Sequence, residues 1–356
     1  MSTQRHRKIF KDILEKIILP EGISIEERNE RIFPLSKHIV ENIPSRLFRY
    51  RECSEMNLDA FNKDKLFAVT SDKFNDPYDC LFRYDKERLR NLIMMGMSKD
   101  VIYSIREHFR ADGDYPDLLK SLFDQEFLNN AKTSILNADD DTIEKRGEVM
   151  ASMRQSVDEN IDRLTEEAVK IVKLMAFIAC FSEDIHSVTM WSHYANSHHG
   201  FVLEYDTKAF LLKCQFCDQS KQCNKAAICN LYPVIYQKQR YDATDFLEWY
   251  IGRSLGLPIK NLDTFASLKA LLYKSPQWSY EKEWRLIVSK MNDFQDKTPV
   301  CIDHLRPTAI YYGTRISAIN RKMLHLIAKE KGIQEYQMYI DNKSYSYSVK
   351  FRKYLE

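Results

Sequence analysis

The stretch Trp278–Val288, WSYEKEWRLIV, decides how the chain is read. Taken as one strand, its side chains point alternately to opposite faces. One face then carries Trp278, Tyr280, Lys282, Trp284, Leu286 and Val288. The other carries Ser279, Glu281, Glu283, Arg285 and Ile287. On that reading the two glutamates stand about 6.5 Å apart along the strand, at ~3.3 Å per residue. A core strand with two carboxylates and a guanidinium on one side needs a reason for them.

Working outward, the C-terminal half holds further short runs rich in β-branched and aromatic residues. AFIACFSE, GFVLEYD, YPVIYQ and AIYYGT all read as strands, as do RLFRYRE and LFAVT nearer the N-terminus. Helical patterns separate some of them, near 245–272 and 317–331. Strands do not alternate with single helices, so a doubly wound parallel sheet is not expected. The expectation is an α+β fold with a twisted, mostly antiparallel sheet. Residues 1–45 read as an N-terminal helical segment and 46–315 as one α+β domain. Residues 316–356 supply a C-terminal helix and strand. Inside the domain, about 85–175 is a helical insertion and about 211–230 a cysteine-rich loop. Met150, Met153, Val157, Ile161, Leu164, Ala168 and Ile171 recur at helical spacing, which is one apolar stripe for packing.

The bulk numbers narrow the function classes. Net charge is +2, so no basic tail for nucleic acid and no acidic solubilising tract is indicated. The basic N-terminus lacks the apolar run of a signal peptide. No stretch approaches the roughly 20 apolar residues of a membrane span. Eight cysteines without an export signal point to reduced thiols in the cytoplasm. Glycine is scarce, and neither a GxGxxG nor a GxxxxGK[ST] phosphate cradle occurs.

Four polar clusters sit at the ends of expected strands. They are Arg49 and Arg51 in LFRYRE, Asn75 and Asp76 in FNDPYD, the segment CFSEDIHSVTMWSHYANSHHGFVLEYD, and YEKEWR itself. Asn or Asp before Pro also serves plain turn chemistry. His193, His198 and His199 do not have a zinc spacing, and no GxSxG elbow accompanies the serines. Cys214, Cys217, Cys223 and Cys229 form C-x2-C-x5-C-x5-C. Four thiolates suit a structural zinc, with free thiols in a loop as the alternative.

The ordered motifs LFRYRE, FNDPYDC, CFSE, MWSHYANSHHGFVLEYD, YPVIY, KSPQWSYEKEWRLI and IYYG resemble the bacterial family known as domain of unknown function 2971. A second resemblance is to ADP-ribosyltransferases of the Arg–Ser–Glu type, through Arg51, Ser182 and Glu281-Lys282-Glu283 in that order. CFSE stands where that type has a Ser-Thr-Ser triplet. The second resemblance implies a split sheet and NAD as substrate. It gives Glu283 the ribose 2′-hydroxyl at an oxocarbenium-like state and Glu281 the acceptor. Arg51 would hold the donor's phosphates or ribose, and Ser182 would position the ribose edge. Tyr194, Trp191 or Phe74 would stack on nicotinamide. Arg49, Asn75, Asp76, His193, Trp278 and Arg285 complete the expected substrate-binding set.

The leading expectation is therefore an NAD-consuming transferase, a toxin or anti-phage effector that modifies RNA, DNA or protein and is held by a neutralising partner protein. One alternative is a magnesium-dependent nuclease built on Asp76, Asp79, Glu281 and Glu283. Another is a binding module without catalysis. YEKEWR has a structural reading too. Glu283 pairs with Arg285 two residues on, Glu281 reaches Arg49 or Arg51, and the charges form a buried network.

Overall fold

The structure is a computed structural model. It describes residues 3–95, 99–115, 120, 124–145, 147–207, 230–254, 262–289, 297–302, 305–343 and 345–355. Cys214, Cys217, Cys223 and Cys229, with the zinc reading attached to them, lie outside the described residues.

Two helices, Thr3–Lys16 and Ile25–Asn42, precede the first strand, β1 (Arg46–Arg51). The chain continues through a helix, Glu55–Asn62, to β2 (Leu66–Thr70). A helical block follows, ending in the long helix Gly147–Leu174, which delivers the chain to β3 (Ala176–Ser182). The remaining strands are β4 (Phe201–Asp206), β5 (Leu231–Pro233), β6 (Ile235–Tyr236), β7 (Tyr273–Lys274), β8 (Glu283–Ser289), β9 (Val300–Ile302), β10 (Ala309–Tyr312), β11 (Gln334–Ile340) and β12 (Val349–Lys353).

Ten of these strands form one open sheet in the order β12-β11-β10-β4-β1-β3-β2-β9, with β8 against β3 and β5 against β8. Every pairing in it is antiparallel except β10 with β11. The α+β class and the mostly antiparallel sheet are as expected. The helix Ala318–Lys331 is the crossover that a parallel β10–β11 pair requires. It ends at Gly332, whose φ of 65° closes the last turn in the left-handed region.

The sheet parts in the middle. β1 and β3 share a single register pair, Phe48 with Ser182. Further along, β3 pairs with β2 instead, through Phe177 and Ile178. Meanwhile β8 follows β3 along its whole length, from Ala176–Ser289 to Ser182–Glu283. A gap therefore opens between the end of β1 and the middle of β3.

The long helix packs by its stripe, with Val157, Ile161, Leu164 and Ala168 buried. Ile171, the expected last member, is 41% exposed and Val172 is buried in its place. A repeat of 3.6 drifts off a strict heptad by about 20° per two turns.

The opening stretch is not one strand. Pro276–Glu281 is a 3₁₀ turn. Ser275 caps it by accepting from the Gln277 N–H, and Pro276 supplies a preset φ at its first position. Lys282 then turns the chain in the left-handed region, at φ 44°. The strand starts only at Glu283. Trp278, Tyr280 and Lys282 therefore do not share a strand face with Trp284, and Glu281 and Glu283 are not spaced along a strand. From Glu283 onward the alternation holds. Trp284 and Leu286 pack in the apolar core, while Glu283 and Arg285 share the other face, itself buried.

Candidate functional site

Arg51, Ser182, Glu281 and Glu283 line one cavity of about 120 Å³, at the gap between β1 and β3. Phe48, Tyr50, Phe74, Asn75, Cys180, Phe181, Met190, Tyr194 and Lys274 complete its wall. The four residues come from four separate segments. β1 brings Arg51, the end of β3 brings Ser182, the 3₁₀ turn brings Glu281, and the start of β8 brings Glu283.

Lys274, at the end of β7, organises the acidic side. Its Nζ donates to Glu281 Oε2 at 2.6 Å and to Glu283 Oε2 at 3.1 Å, and lies 3.4 Å from Asp79 Oδ2. Arg285, fully buried, completes the set. Its Nε donates to Glu283 Oε1 at 2.8 Å, its Nη2 to Asp79 Oδ2 at 2.6 Å and its Nη1 to the Leu271 carbonyl at 2.6 Å. The Arg285 guanidinium also lies over the Phe74 ring, 5.4 Å from its centroid. Glu283 pairs with Arg285, as the structural reading of YEKEWR holds. Glu281 pairs with Lys274 rather than with Arg49 or Arg51.

The environments of the two glutamates push their proton affinities apart. Burial raises the Glu281 carboxyl, and the charge of Glu283 raises it further, to about 7, although Lys274 and Tyr194 pull it down. Burial would raise Glu283 as well, but Arg285 and Lys274 overcome it and hold that carboxyl well below the usual range. Glu283 therefore stays ionised while Glu281 can exchange a proton near neutrality. Glu281 is also held from its other oxygen. Tyr194 OH donates to Oε1 at 2.5 Å and accepts from Asn75 Nδ2 at 3.1 Å.

The Ser182 hydroxyl is engaged with backbone. It donates to the Glu281 carbonyl at 2.6 Å and accepts from the Asp184 N–H at 3.1 Å, which fixes the turn bearing Glu281. The Arg51 guanidinium bonds the Tyr50 carbonyl at 3.0 Å and has no ion pair among the described residues. It is the cavity's uncommitted cation.

Not every expected residue reaches the cavity. Trp191 is fully buried and its indole N–H donates to the Ile185 carbonyl at 2.8 Å, so it packs rather than stacks on a ligand there. Arg49 is buried on β1, donating to the Phe67 carbonyl at 2.6 Å, with its guanidinium over Phe181. His193 is exposed and meets Tyr280 OH at 3.0 Å. Asp76 and Trp278 line a neighbouring cleft. Asp79 and Glu283 lie in ion pairs with Arg285 and Lys274, so the ammonium occupies the place where a cation would bridge these carboxylates. Among the described residues, no group of three or more His, Cys, Asp or Glu side chains is arranged to hold a metal ion. No described helix is long and apolar enough to cross a membrane.

Sequence reasoning missed Lys274 and Arg7. Lys274 ends the apolar run LLYK just before a capped Pro276, and a lone charge closing such a run was the available signal. Arg7, on the first helix, donates to the carbonyls of Val234 at 2.6 Å and Glu283 at 2.9 Å, and pairs with Glu183 at 2.7 Å. That helix thus clamps the start of β8. Nothing in the local sequence signals a contact over such a separation.

Residues 190–286 match a family model described as "Protein of unknown function (DUF2971)". The match takes in Tyr194, Lys274, Glu281, Glu283 and Arg285, and is narrower than the run of ordered motifs from LFRYRE to IYYG. No curated protein matches the chain, and no solved structure does.

Proposed function

We propose that the cavity carries glycosyl transfer from NAD, an ADP-ribosyltransferase activity in which Glu281 is the working carboxylate. The observation that carries this reading is the shared wall. An unpaired Arg51, the aromatic rings of Phe74 and Tyr194, and two glutamates of opposed proton affinity line one space.

A volume of about 120 Å³ is below the roughly 300–1,000 Å³ of whole small-molecule sites. It suits the nicotinamide end of the donor, with the phosphates outside toward Arg51. In the reaction the bond from ribose C1′ to the pyridinium nitrogen breaks and its electron pair returns to nicotinamide. A hydroxyl or amine of the acceptor forms the new bond to C1′, and its proton passes to the Glu281 carboxylate. Glu283 does not take the proton, because ion pairs with both Arg285 and Lys274 hold it ionised and lower its proton affinity. It is a positioning residue, whose charge sets the proton affinity of Glu281 and holds Lys274 in place.

The bridging Lys274 disfavours the magnesium nuclease. An ammonium between three carboxylates would have to leave before a divalent ion could bind.

The test is nicotinamide release from NAD, with and without RNA, DNA and protein acceptors. Release that needs one acceptor class and is lost in Glu281→Gln is the expected result. No release, and no thermal shift with NAD, overturns the proposal.

A further inference from the structure

A second cleft lies on the other side of Lys274, with a volume of about 320 Å³. Lys274 lines both spaces, but its ammonium is committed to the carboxylates. The cleft has cations of its own. Lys238 and Arg240 line it, both are exposed, and neither has an ion pair among the described residues. Two free cations in one cleft suit an anion with several oxygens, such as phosphate.

Two further observations define the rest of the ligand. Trp278 lines the cleft beside the exposed Tyr78, which offers aromatic surface for a planar ring. Asp76 also lines it and is only 5% exposed. Its Oδ1 accepts from the Tyr78 N–H at 2.9 Å, while its buried Oδ2 has no partner among the described residues. A buried carboxylate oxygen without a donor is costly, and few such atoms persist without a role. A ligand that brings an N–H to this wall would satisfy it.

We infer that this cleft binds an aminopurine nucleotide, with its phosphate on Lys238 and Arg240, its base on Trp278 and its exocyclic amine toward Asp76. The volume falls at the lower end of small-molecule sites, about 300–1,000 Å³, which fits a mononucleotide. The site does not rest on glycosyl transfer in the neighbouring cavity. Nucleotide binding without nicotinamide release removes only that proposal, and release without nucleotide binding removes only this one.

The experiment is calorimetric titration of the full chain with adenosine monophosphate, adenosine, inosine monophosphate and inorganic phosphate. Adenosine monophosphate should bind saturably. Adenosine lacks the phosphate and inosine monophosphate the amine, and each should bind about tenfold more weakly or worse, as should phosphate alone. The double variant K238A/R240A changes two exposed side chains outside the cavity of Glu281. It should weaken adenosine monophosphate about tenfold while leaving adenosine unchanged. Asp76→Asn should erase the preference over inosine monophosphate. If that variant fails to fold, the double variant and the wild-type ligand series decide alone. No saturable binding at millimolar nucleotide, binding undiminished in the double variant, or equal binding of the two monophosphates overturns the inference.

Discussion

The Lys274 ammonium donates to Glu281 at 2.6 Å, with both side chains nearly excluded from solvent. Glu283 and Asp79 share the same ammonium, and Arg285 is the other cation of the group. Removing one partner of such a group strands a buried charge, which costs about 3–5 kcal/mol. Lys274→Met should therefore lower stability by about that amount in urea unfolding. A loss under about 1 kcal/mol, the level of an exposed pair, would show that the carboxylates do not depend on this lysine.

Glu281 should give the fold a pH dependence of a definite sign. Its folded carboxyl is raised to about 7, by burial first and then by Glu283. Between its ordinary value and about 7, the folded chain holds a proton that the unfolded chain has released. Stability from this group is thus full in acid and falls as pH rises through that window. Glu283 acts in the opposite sense, because its lowered carboxyl favours the fold above the ordinary carboxylate range and loses that contribution as pH drops. Comparing wild type with Glu281→Gln isolates the first effect. Relative to the variant, wild type should lose about 1–3 kcal/mol between pH 5 and pH 8. A flat difference across that range would place the Glu281 proton elsewhere. In the transfer reaction Glu281 accepts a proton, so wild-type activity should rise with pH through about 7.

Arg51 and Arg285 should separate binding from stability. Arg285 is fully buried with every nitrogen engaged, whereas among the described residues the Arg51 guanidinium bonds only its neighbour's carbonyl. Arg51→Ala should change stability by no more than about 0.5 kcal/mol and weaken NAD about tenfold. Arg285→Met should cost stability on the scale of Lys274→Met. If Arg51→Ala lowers stability by well over that amount while the folded variant keeps its NAD affinity, the arginine is structural and the donor phosphates lie elsewhere.

The sequence revealed the strands of the sheet and the residues of the cavity wall more clearly than the path between them. Runs such as AFIACFS and FVLEYD carry their β-branched and aromatic signal locally, so β3 and β4 were legible. WSYEKEWRLIV was misleading because alternation continues through a 3₁₀ turn as smoothly as through a strand. The deciding signals there were Ser275-Pro276, which start the turn, and the left-handed Lys282 that ends it. The convergence of Arg51, Ser182, Glu281 and Glu283 follows from β1 parting from β3 after one register pair. Such parting is a property of three strands competing for two edges, and no single segment encodes it. Lys274 and Arg7 act on Glu283 from other segments, and their roles emerge only when those segments pack.

Gly200 controls the backbone that carries Arg51. A Cβ at this position would come within 2.1 Å of the Arg51 carbonyl oxygen and 3.0 Å of the Ala195 carbonyl. Both contacts are with backbone, so no side chain can swing aside to relieve them. The loop before Gly200 is tightly turned, with Asn196, Ser197 and His198 all at positive φ, and it has little freedom to retreat. Gly200→Ala must therefore displace β1 at Arg51 or lose the β1–β4 pairing of Arg51 with Phe201. Overpacking of this kind costs about 1–3 kcal/mol, readable as a lower Tm. Because the displaced residue is the cavity's free cation, NAD affinity should fall in the same variant, beyond what partial unfolding explains at a temperature where the fold is intact. A lower Tm with unchanged affinity would show that the Arg51 backbone position is not coupled to its side chain's role.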